Sequence, residues 1–483
     1  MVVISFVSFL ILFLAVGLLS ALRSRGTKTD YYLASRSVSP MLTGLSAVAT
    51  NNSGYMFIGV IGFTYTVGLS TIWLMVGWIV GDFLASFYIH RKLRSQSETA
   101  REVTFAGILA RWNGTDYRAL RIVAALMTLV FLGAYAAAQL SAGGKALQGL
   151  FGWDKDMGAV LVSAIVAAYC FAGGIRASIW TDAVQSVVML VAMSGLMVVA
   201  VTHVGGITPA IDAMSQIPGY LDWFPPDLLI PGATGVALFA LGWLFAGFSV
   251  VGQPHIMVRF MALDREDNLN RARVWYYGFF TIFYGLATGV GLFSRLLLPE
   301  LGDLDPELAL PVIARDLLPP IAVGVVLAGI FAATMSTADS LILSCSSALT
   351  HDLLPKRLEK PHELKFVTIL VTGFALLIAL SDNQSVFSLV ILAWSVLGAT
   401  FGPLLLIYAL GGRIAERQAI LMMGVALVTV LAWRQMGWQG SVYEGMPAII
   451  ASLAVYGIDR LLTGSVPVER PEAGEEPVKS TSR

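Results

Sequence analysis

The chain has 483 residues, 57% hydrophobic and 13% charged, with a formal net charge of zero. Average soluble proteins carry about a quarter charged residues, so this composition is that of an integral membrane protein and excludes an ordinary soluble domain. The charge balance gives nucleic-acid binding no support, and Cys170 and Cys345, both in apolar runs, argue against a disulfide framework.

Apolar runs predict thirteen membrane spans, roughly 2–22, 41–66, 68–90, 119–149, 157–175, 179–203, 234–254, 275–298, 319–350, 365–382, 385–411, 418–436 and 443–463. Each can cross about 30 Å of hydrocarbon. The separators at Gly68 and at Asp382–Asn383 are the shortest. The first run has no basic segment ahead of it, and its basic residues follow it, which predicts a retained span with its N-terminus outside. That orientation puts 26 of the 31 Lys and Arg residues, Arg176 and Arg259 among them, on cytoplasmic segments. The outer side keeps Lys145, Lys155, Arg295, Arg315 and Arg434, and the long segment 204–231 has none. The asymmetry supports an odd span count with the C-terminus inside. The polar tail, 464–483, is expected to be disordered and is too short for a signalling domain.

Two spans carry helix breakers at membrane depth. In 41–66 the run Ala49-Thr50-Asn51-Asn52-Ser53-Gly54 sets amides and small residues where a continuous helix favours Ala or Leu, and in 234–254 the break falls at Gly252-Gln253-Pro254. Broken backbone survives in a membrane only where it lines a site or a water-filled cavity. One break in each half of a large bundle points to a secondary transporter with an internal repeat. Unwinding at 49–54 would free carbonyls for a cation, and the following half-helix would present N–H groups to an anion. A packing seam of small residues explains the first run equally.

Asp182 lies just inside 179–203. An acid in hydrocarbon is a functional candidate by default, although a surface pair with Arg176 would also account for it. Span 319–350 carries Ser336, Ser340, Ser344 and Ser347 on one helical face, with Thr337 beside the first and Asp339 three residues after it. Hydroxyls are hard ligands suited to sodium; bonding back to the helix is the competing explanation, and the better one for Ser344 and Ser347. Asp82 reads as a structural acid. The histidines, His90, His203, His255, His351 and His362, fall mostly at span ends, where solvation is expected. No His-Glu-x-x-His, Gly-x-Ser-x-Gly or P-loop is present, so no enzymatic reading competes and energy must come from an ion gradient.

Several longer motifs occur in order along nearly the whole chain. They are Asp30-Tyr31-Tyr32-Leu33-Ala34-Ser35-Arg36-Ser37, Ser46-Ala47 with Ser53-Gly54, Gly173-Gly174 before Trp180-Thr181-Asp182-Ala183-Val184-Gln185, Gly252 to Met261, and Ala332-Ala333-Thr334-Met335-Ser336-Thr337 followed by Cys345-Ser346-Ser347-Ala348. In these the chain resembles the sodium/solute symporter family, most closely its bacterial sodium/proline branch. The resemblance implies an all-α integral membrane protein of the leucine-transporter type in a bacterial inner membrane. It implies two inverted five-helix repeats, 41–203 and 234–411, with 2–22 before them and two helices, 418–463, after. It implies sodium as the coupling ion, held by the carbonyls of Ala49, Asn52 and Ala333 and the hydroxyls of Ser336 and Thr337, with Asp182 in support. It places solute beside the first break at Ser53 and Gly54, with Tyr135 and segment 246–254, including Pro254, in contact.

The chain departs from that branch at several of these positions. Asn51 stands where proline transporters have an aspartate. Asp339 replaces a hydroxyl residue and, with Ser340, is a candidate second sodium site. Ala246 and Val250 replace aromatic residues, which predicts an enlarged pocket stripped of aromatic walls. Gln139, one turn after Tyr135, adds an amide able to read a polar solute. The function expected is sodium-coupled import of a small organic solute by alternating access, with proline or a related amino acid favoured. A carboxylate, sugar, sialic acid or osmolyte symporter, a transporter-like sensor and a passive channel are the rivals.

Overall fold

The computed structural model of the protein describes residues 1–23, 27–299, 305–354, 361–381 and 385–463. Among these the chain is all helical, with no strand. The main helices are α1 (Val2–Ala21), α2 (Pro40–Phe57), α3 (Gly59–Val67), α4 (Ile72–Thr99), α5 (Arg118–Phe151), α6 (Lys155–Val204) and α7 (Ala233–Phe248). They continue as α8 (Pro254–Met261), α9 (Leu269–Leu297), α10 (Pro320–Ser347), α11 (Pro361–Ser381), α12 (Val386–Ala409), α13 (Glu416–Gln435) and α14 (Gly445–Thr463). Among the described residues, ten stretches are long and apolar enough to cross a bilayer, and Lys365–Ser381 is a shorter apolar helix.

Two expected boundaries take a different form. The separator at Gly68 is a tight turn and not a loop: α3 ends at this glycine, whose φ is +73°, and a single turn, Gly68–Thr71, leads into α4. The expected spans 157–175 and 179–203 share one helical run of 50 residues with no separating loop. A straight helix of that length would reach about 75 Å, more than twice the hydrocarbon thickness. The run turns instead at Gly174, whose φ of +58° is a backbone state open to glycine at little cost. Tyr31 lies against it so closely that a Cβ there would sit 3.0 Å from the Tyr31 carbonyl oxygen. The separator at Asp382–Asn383 and the tail 464–483 lie outside the described residues.

Between helices in lipid, close contact does what the hydrophobic effect does in water, so small residues mark the tightest seams. Gly77 and Gly81 on α4 face Gly247 on α7, and a Cβ on Gly247 would collide with the carbonyl oxygens of Gly77 and Trp78. On α5, Gly143 leaves room for Val162 of α6. The innermost helices are α2, α10 and α12; α1 lies outside them, reaching α10 through an edge-to-face contact of Phe6 on Phe331 at 4.7 Å.

Two of the inner elements are broken. In α2, Ser53 has φ 47° and ψ 178°, so the helix is interrupted there and resumes after it. After α7 the chain makes a tight turn at Ser249–Gly252, extends at Gln253 (φ −94°, ψ 104°), and starts α8 on Pro254. Proline suits a first helical position because its missing N–H would be unpaired there anyway. Gln253 spans the gap, its Nε2 donating to the carbonyls of Ser249 (3.2 Å) and Trp394 (3.1 Å). The chain just before α2 and just after α8 is tied by backbone alone: Val38 N–H donates to Ala262 O (3.2 Å) and Asp264 N–H to Val38 O (2.9 Å). At the opposite end, Glu307 accepts from the first N–H groups of α12, Val386 (3.0 Å) and Phe387 (2.9 Å), where the helix dipole favours a carboxylate, and it also pairs with Lys145 of α5.

Candidate functional site

Every residue expected at the site is buried. The break at Ser53 explains how. In an unbroken helix the N–H of Gly54 would bond the Thr50 carbonyl four residues back. Here it donates to Gln139 Oε1 at 2.9 Å, and the Tyr55 N–H donates to Ser53 Oγ at 3.1 Å. Tyr135 donates its hydroxyl to the same Ser53 oxygen (3.1 Å), so Tyr135 and Gln139, one turn apart on α5, clasp the break from one side. Gly54 is the close-approach residue: a Cβ there would lie 2.5 Å from Thr334 Cγ2 and 3.0 Å from Gln139 Oε1.

On the other side α10 grips α2 through hydroxyls. Ser336 Oγ lies 3.2 Å from Ala49 O and 3.1 Å from Ala333 O. Thr337 Oγ1 reaches Thr50 O at 2.9 Å rather than the Ala49 carbonyl. Asn52 is fully buried, and neither atom of its amide has a partner among the described residues. The structure therefore brings Ala49, Ala333 and Ser336 to one point, sets Thr337 one carbonyl further along, and leaves the Asn52 amide free beside them. The donor set is all oxygen, buried, and carries neither sulfur nor imidazole, which fits a hard monovalent cation. Among the described residues there is no His/Cys/Asp/Glu cluster of the kind that holds a transition metal.

The acids form a neighbouring cluster. Asp182 Oδ2 accepts from Ser46 Oγ (2.6 Å), Thr50 Oγ1 (3.5 Å), Ser178 Oγ (3.5 Å) and Arg259 Nη2 (3.3 Å). Asp339 Oδ1 accepts from Ser340 Oγ (2.9 Å) and Ser178 Oγ (3.3 Å). Asp182 does not pair with Arg176, which goes to Asp30 at 2.5 Å; its cation is Arg259. Arg259 is not a loop charge at a cytoplasmic edge either, being 1% exposed. Ser344 and Ser347 bond back to carbonyls of their own helix, both at 2.8 Å.

On the solute side, Asn51 donates its amide to Tyr276 Oη (2.6 Å), and Tyr276 lies beside buried Asp82 of α4. The expectation of a pocket without aromatic walls is not met. Small side chains at Ala246 and Val250 let an indole from another helix reach the backbone: Trp394 Nε1 donates to Ala246 O at 3.1 Å. Trp394 packs against Trp78 in a tilted arrangement at 4.9 Å and meets Tyr135 and His255 edge-on, each at 6.4 Å. Pro254 borders a small cavity of about 40 Å³ that also touches Arg259 and Ser340. Of the histidines expected in solvent, His90 and His255 are fully buried and His351 nearly so. Residue reading alone missed Arg259, Trp394, His255 and Tyr276. The available signal was an arginine, a histidine and a glutamine within seven residues of a helix-breaking proline, more polarity than a membrane edge requires.

Access differs at the two ends. A funnel of about 880 Å³ opens on the face that carries residues 217–226 and 434–444, with Phe387 and Tyr443 in its wall. Phe387 stacks on Phe63 (4.3 Å) and on Tyr55 (5.4 Å), two residues beyond the break at Ser53. The opposite face is shut by ion pairs: Arg121 meets Glu102 (3.0 Å), Asp116 (2.9 Å) and Asp352 (3.2 Å), and Arg111 meets Glu102 and Asp116. Arg36 adds bonds to the carbonyls of Ser97 and Glu102.

A family model described as "Sodium:solute symporter family" matches residues 31–427. The high-affinity proline transporter PutP of Bacillus subtilis (strain 168) is 32% identical over 438 residues, covering 88% of this chain and 90% of that protein. A sodium/proline symporter of Staphylococcus aureus (strain JH9) is 31% identical over 479 residues, covering 94% and 91%. Among solved structures, a Na+-coupled sialic acid symporter in a substrate-bound outward-open state superposes with a TM-score of 0.79 at 20% identity, covering 95% of this chain and 98% of that one.

Proposed function

Because the chain belongs to the sodium:solute symporter family, and so couples sodium to the import of a small solute across a bacterial inner membrane, we propose that its solute is proline or a closely related amino acid and that it works by alternating access. The observation that carries the reading is the convergence of Ser336 Oγ with the carbonyls of Ala49 and Ala333 beside the Ser53 break. Bound sodium would supply one positive charge to draw these oxygens, and the carbonyl of Asn52, into one shell. Ser336 and Thr337 then fix the lower half of α2 against α10. That fixes Ser53, Gly54 and the Tyr135–Gln139 pair that holds them, which completes the solute pocket. Asn51, Ala246, Val250 and Pro254 border this pocket, and Asp182 supports the ion from the adjoining cluster.

The thirteen-span reading, with two inverted five-helix repeats and an inner C-terminus, belongs to the same proposal. It makes the funnel the outer mouth and the Arg121 cluster the inner seal. Both matched bacterial relatives carry proline in their names, which favours that solute. The test is solute-dependent ²²Na⁺ uptake into proteoliposomes over a panel of amino acids, organic acids and sugars. Proline-stimulated uptake is expected. Stimulation by sugars or sialic acid alone would overturn the choice of solute, and sodium-independent solute uptake would overturn the site.

A further inference from the structure

Asp82 is fully buried on α4, and the sodium contacts described above make no use of it. An acid sealed in a membrane has a partner or a task. The phenols of Tyr276 and Tyr277 and the guanidinium of Arg273, all on α9, lie beside it. Arg273 supplies balancing charge, so the acid needs no metal ion. Neither carboxylate oxygen has a close hydrogen-bond partner among the described residues, so the acid keeps its capacity to accept a proton donor. Tyr276 is the donor held most firmly. Its ring meets Phe260 (5.8 Å), Tyr277 (4.8 Å) and Phe280 (5.7 Å) edge-on. Gly44 lets α2 approach the same turn of α9: a Cβ there would lie 2.5 Å from Ala272 O and 3.1 Å from the Tyr276 nitrogen. Across this seam Asn51 donates Nδ2 to Tyr276 Oη at 2.6 Å.

We propose that Asp82 is a positioning residue for solute recognition: through Tyr276 it fixes the Asn51 amide with its carbonyl oxygen left for the solute, so that the pocket selects solutes carrying an N–H donor, an ammonium or a secondary amine. The inference rests on the amino-acid reading above and deepens it. A carboxylate only accepts, whereas a phenol both donates and accepts. Tyr276 can serve Asp82 only by donating, and its oxygen then accepts from Asn51, which is the direction observed. An asparagine alone can offer either end of its amide, and the two ends hardly differ in shape. The acid two contacts away decides between them and leaves Oδ1 as the free end. Gln139 is set the opposite way. Its Oε1 is taken by the Gly54 N–H, and its Nε2 is buried without a partner among the described residues. An acceptor from α2 and a donor from α5 beside one break suit the amine and the carboxylate of an amino acid.

The probes are L-proline and tetrahydrofuran-2-carboxylate, which has a ring oxygen in place of the amine, titrated calorimetrically into purified full-length protein in saturating sodium. Wild type is expected to bind proline about tenfold or more tighter, because the oxygen analogue leaves a buried acceptor unpaired. Asp82→Asn ends the chain in an amide that can donate or accept, so the direction is no longer fixed. Proline should weaken, the oxygen analogue should gain, and the ratio should fall toward one. Adding Asn51→Asp to Asp82→Asn supplies a group that can only accept and should restore the preference for proline, a rescue that general damage to packing would not give. A wild-type ratio near one, an unchanged ratio in Asp82→Asn, or the absence of rescue would each overturn the proposal. Should Asp82→Asn fail to fold, Tyr276→Phe cuts the same chain at its middle, and an unchanged ratio there counts against the proposal equally. A wild type that binds neither probe would overturn the amino-acid reading and this proposal with it. A selective wild type with an insensitive Asp82→Asn overturns this proposal alone, so the two failures are distinguishable.

Discussion

At the scale of single residues, the site depends on groups that replace lost backbone bonds. Ser336→Ala and Thr337→Ala each remove one hydroxyl from the α2–α10 contact. A hydrogen bond to a charged group is worth about 1.5–3 kcal/mol, so the sodium concentration for half-maximal uptake should rise roughly tenfold or more in each. Sodium dependence of uptake in proteoliposomes measures it, and two unchanged curves would remove the assignment. Gln139→Leu leaves the buried Gly54 N–H without its acceptor, a cost of about 1–3 kcal/mol. It should lower both the unfolding temperature in detergent and the affinity for solute; a variant with both unaltered would show that the clasp is dispensable. Ser53 and Ser336 could be found by inspection because breakers and hydroxyls at membrane depth are conspicuous. Arg259 could not: it lies five residues beyond Pro254, where the sequence reads as a cytoplasmic edge, and only the turn at Ser249–Gln253 shows that α8 starts deep enough to carry it into the bundle. Trp394 was hidden for another reason. Its contact is with a backbone carbonyl on a distant helix, and the smallness of Ala246, which permits it, reads in sequence as empty space.

At the scale of elements, the ion pairs around Arg121 join the short helix Phe105–Arg111, α5 and the turn Ala348–Leu353 that follows α10 into one seal. Arg121→Ala would leave Glu102 and Asp352 buried without that partner, and losing one member of a buried pair costs about 3–5 kcal/mol. The seal should open. A cysteine placed at Ser344, which borders the small cavity, should then be alkylated faster from the basic face in inside-out vesicles than the same cysteine with Arg121 intact. Equal rates would mean that the seal lies elsewhere. The seal should also resist mild acid. Partial burial pushes the Asp116 carboxyl up, but its bonds and attraction to Arg121 and Arg111 outweigh this and hold it below the usual carboxylate range. A depressed value means that the contribution of Asp116 is complete above its unfolded range and lost only as pH falls through the lower folded one. Alkylation of this cysteine relative to that of a fully exposed one, which corrects for the falling thiolate fraction, should therefore not change between about pH 8 and pH 5. Two spans parted near 175–179 were expected where the chain makes one helical run that turns at Gly174; the place of the turn was legible, while its loopless form was not, because a turn made by one glycine leaves none of the polar residues by which loops are recognised.

At the scale of the whole molecule, one end is an open funnel and the other is locked, with α2 and the α7–α8 break between them. If sodium completes the solute pocket, linkage requires that solute tighten sodium by the factor by which sodium tightens solute. Paired calorimetric titrations should return equal factors; unequal ones would mean that the two ligands do not share a conformational equilibrium. Each sodium entering down a 100 mV potential contributes about 2.3 kcal/mol of driving force. The tie between Val38 and the segment 262–264 is made of peptide groups only. Side-chain changes that keep the packing of buried Val38 and Ala262 therefore leave the hydrogen bonds themselves intact. Proline at 38 or 264 removes a donor and severs the tie whatever its size, so in a substitution series at position 38 proline should be far worse than apolar residues of similar volume.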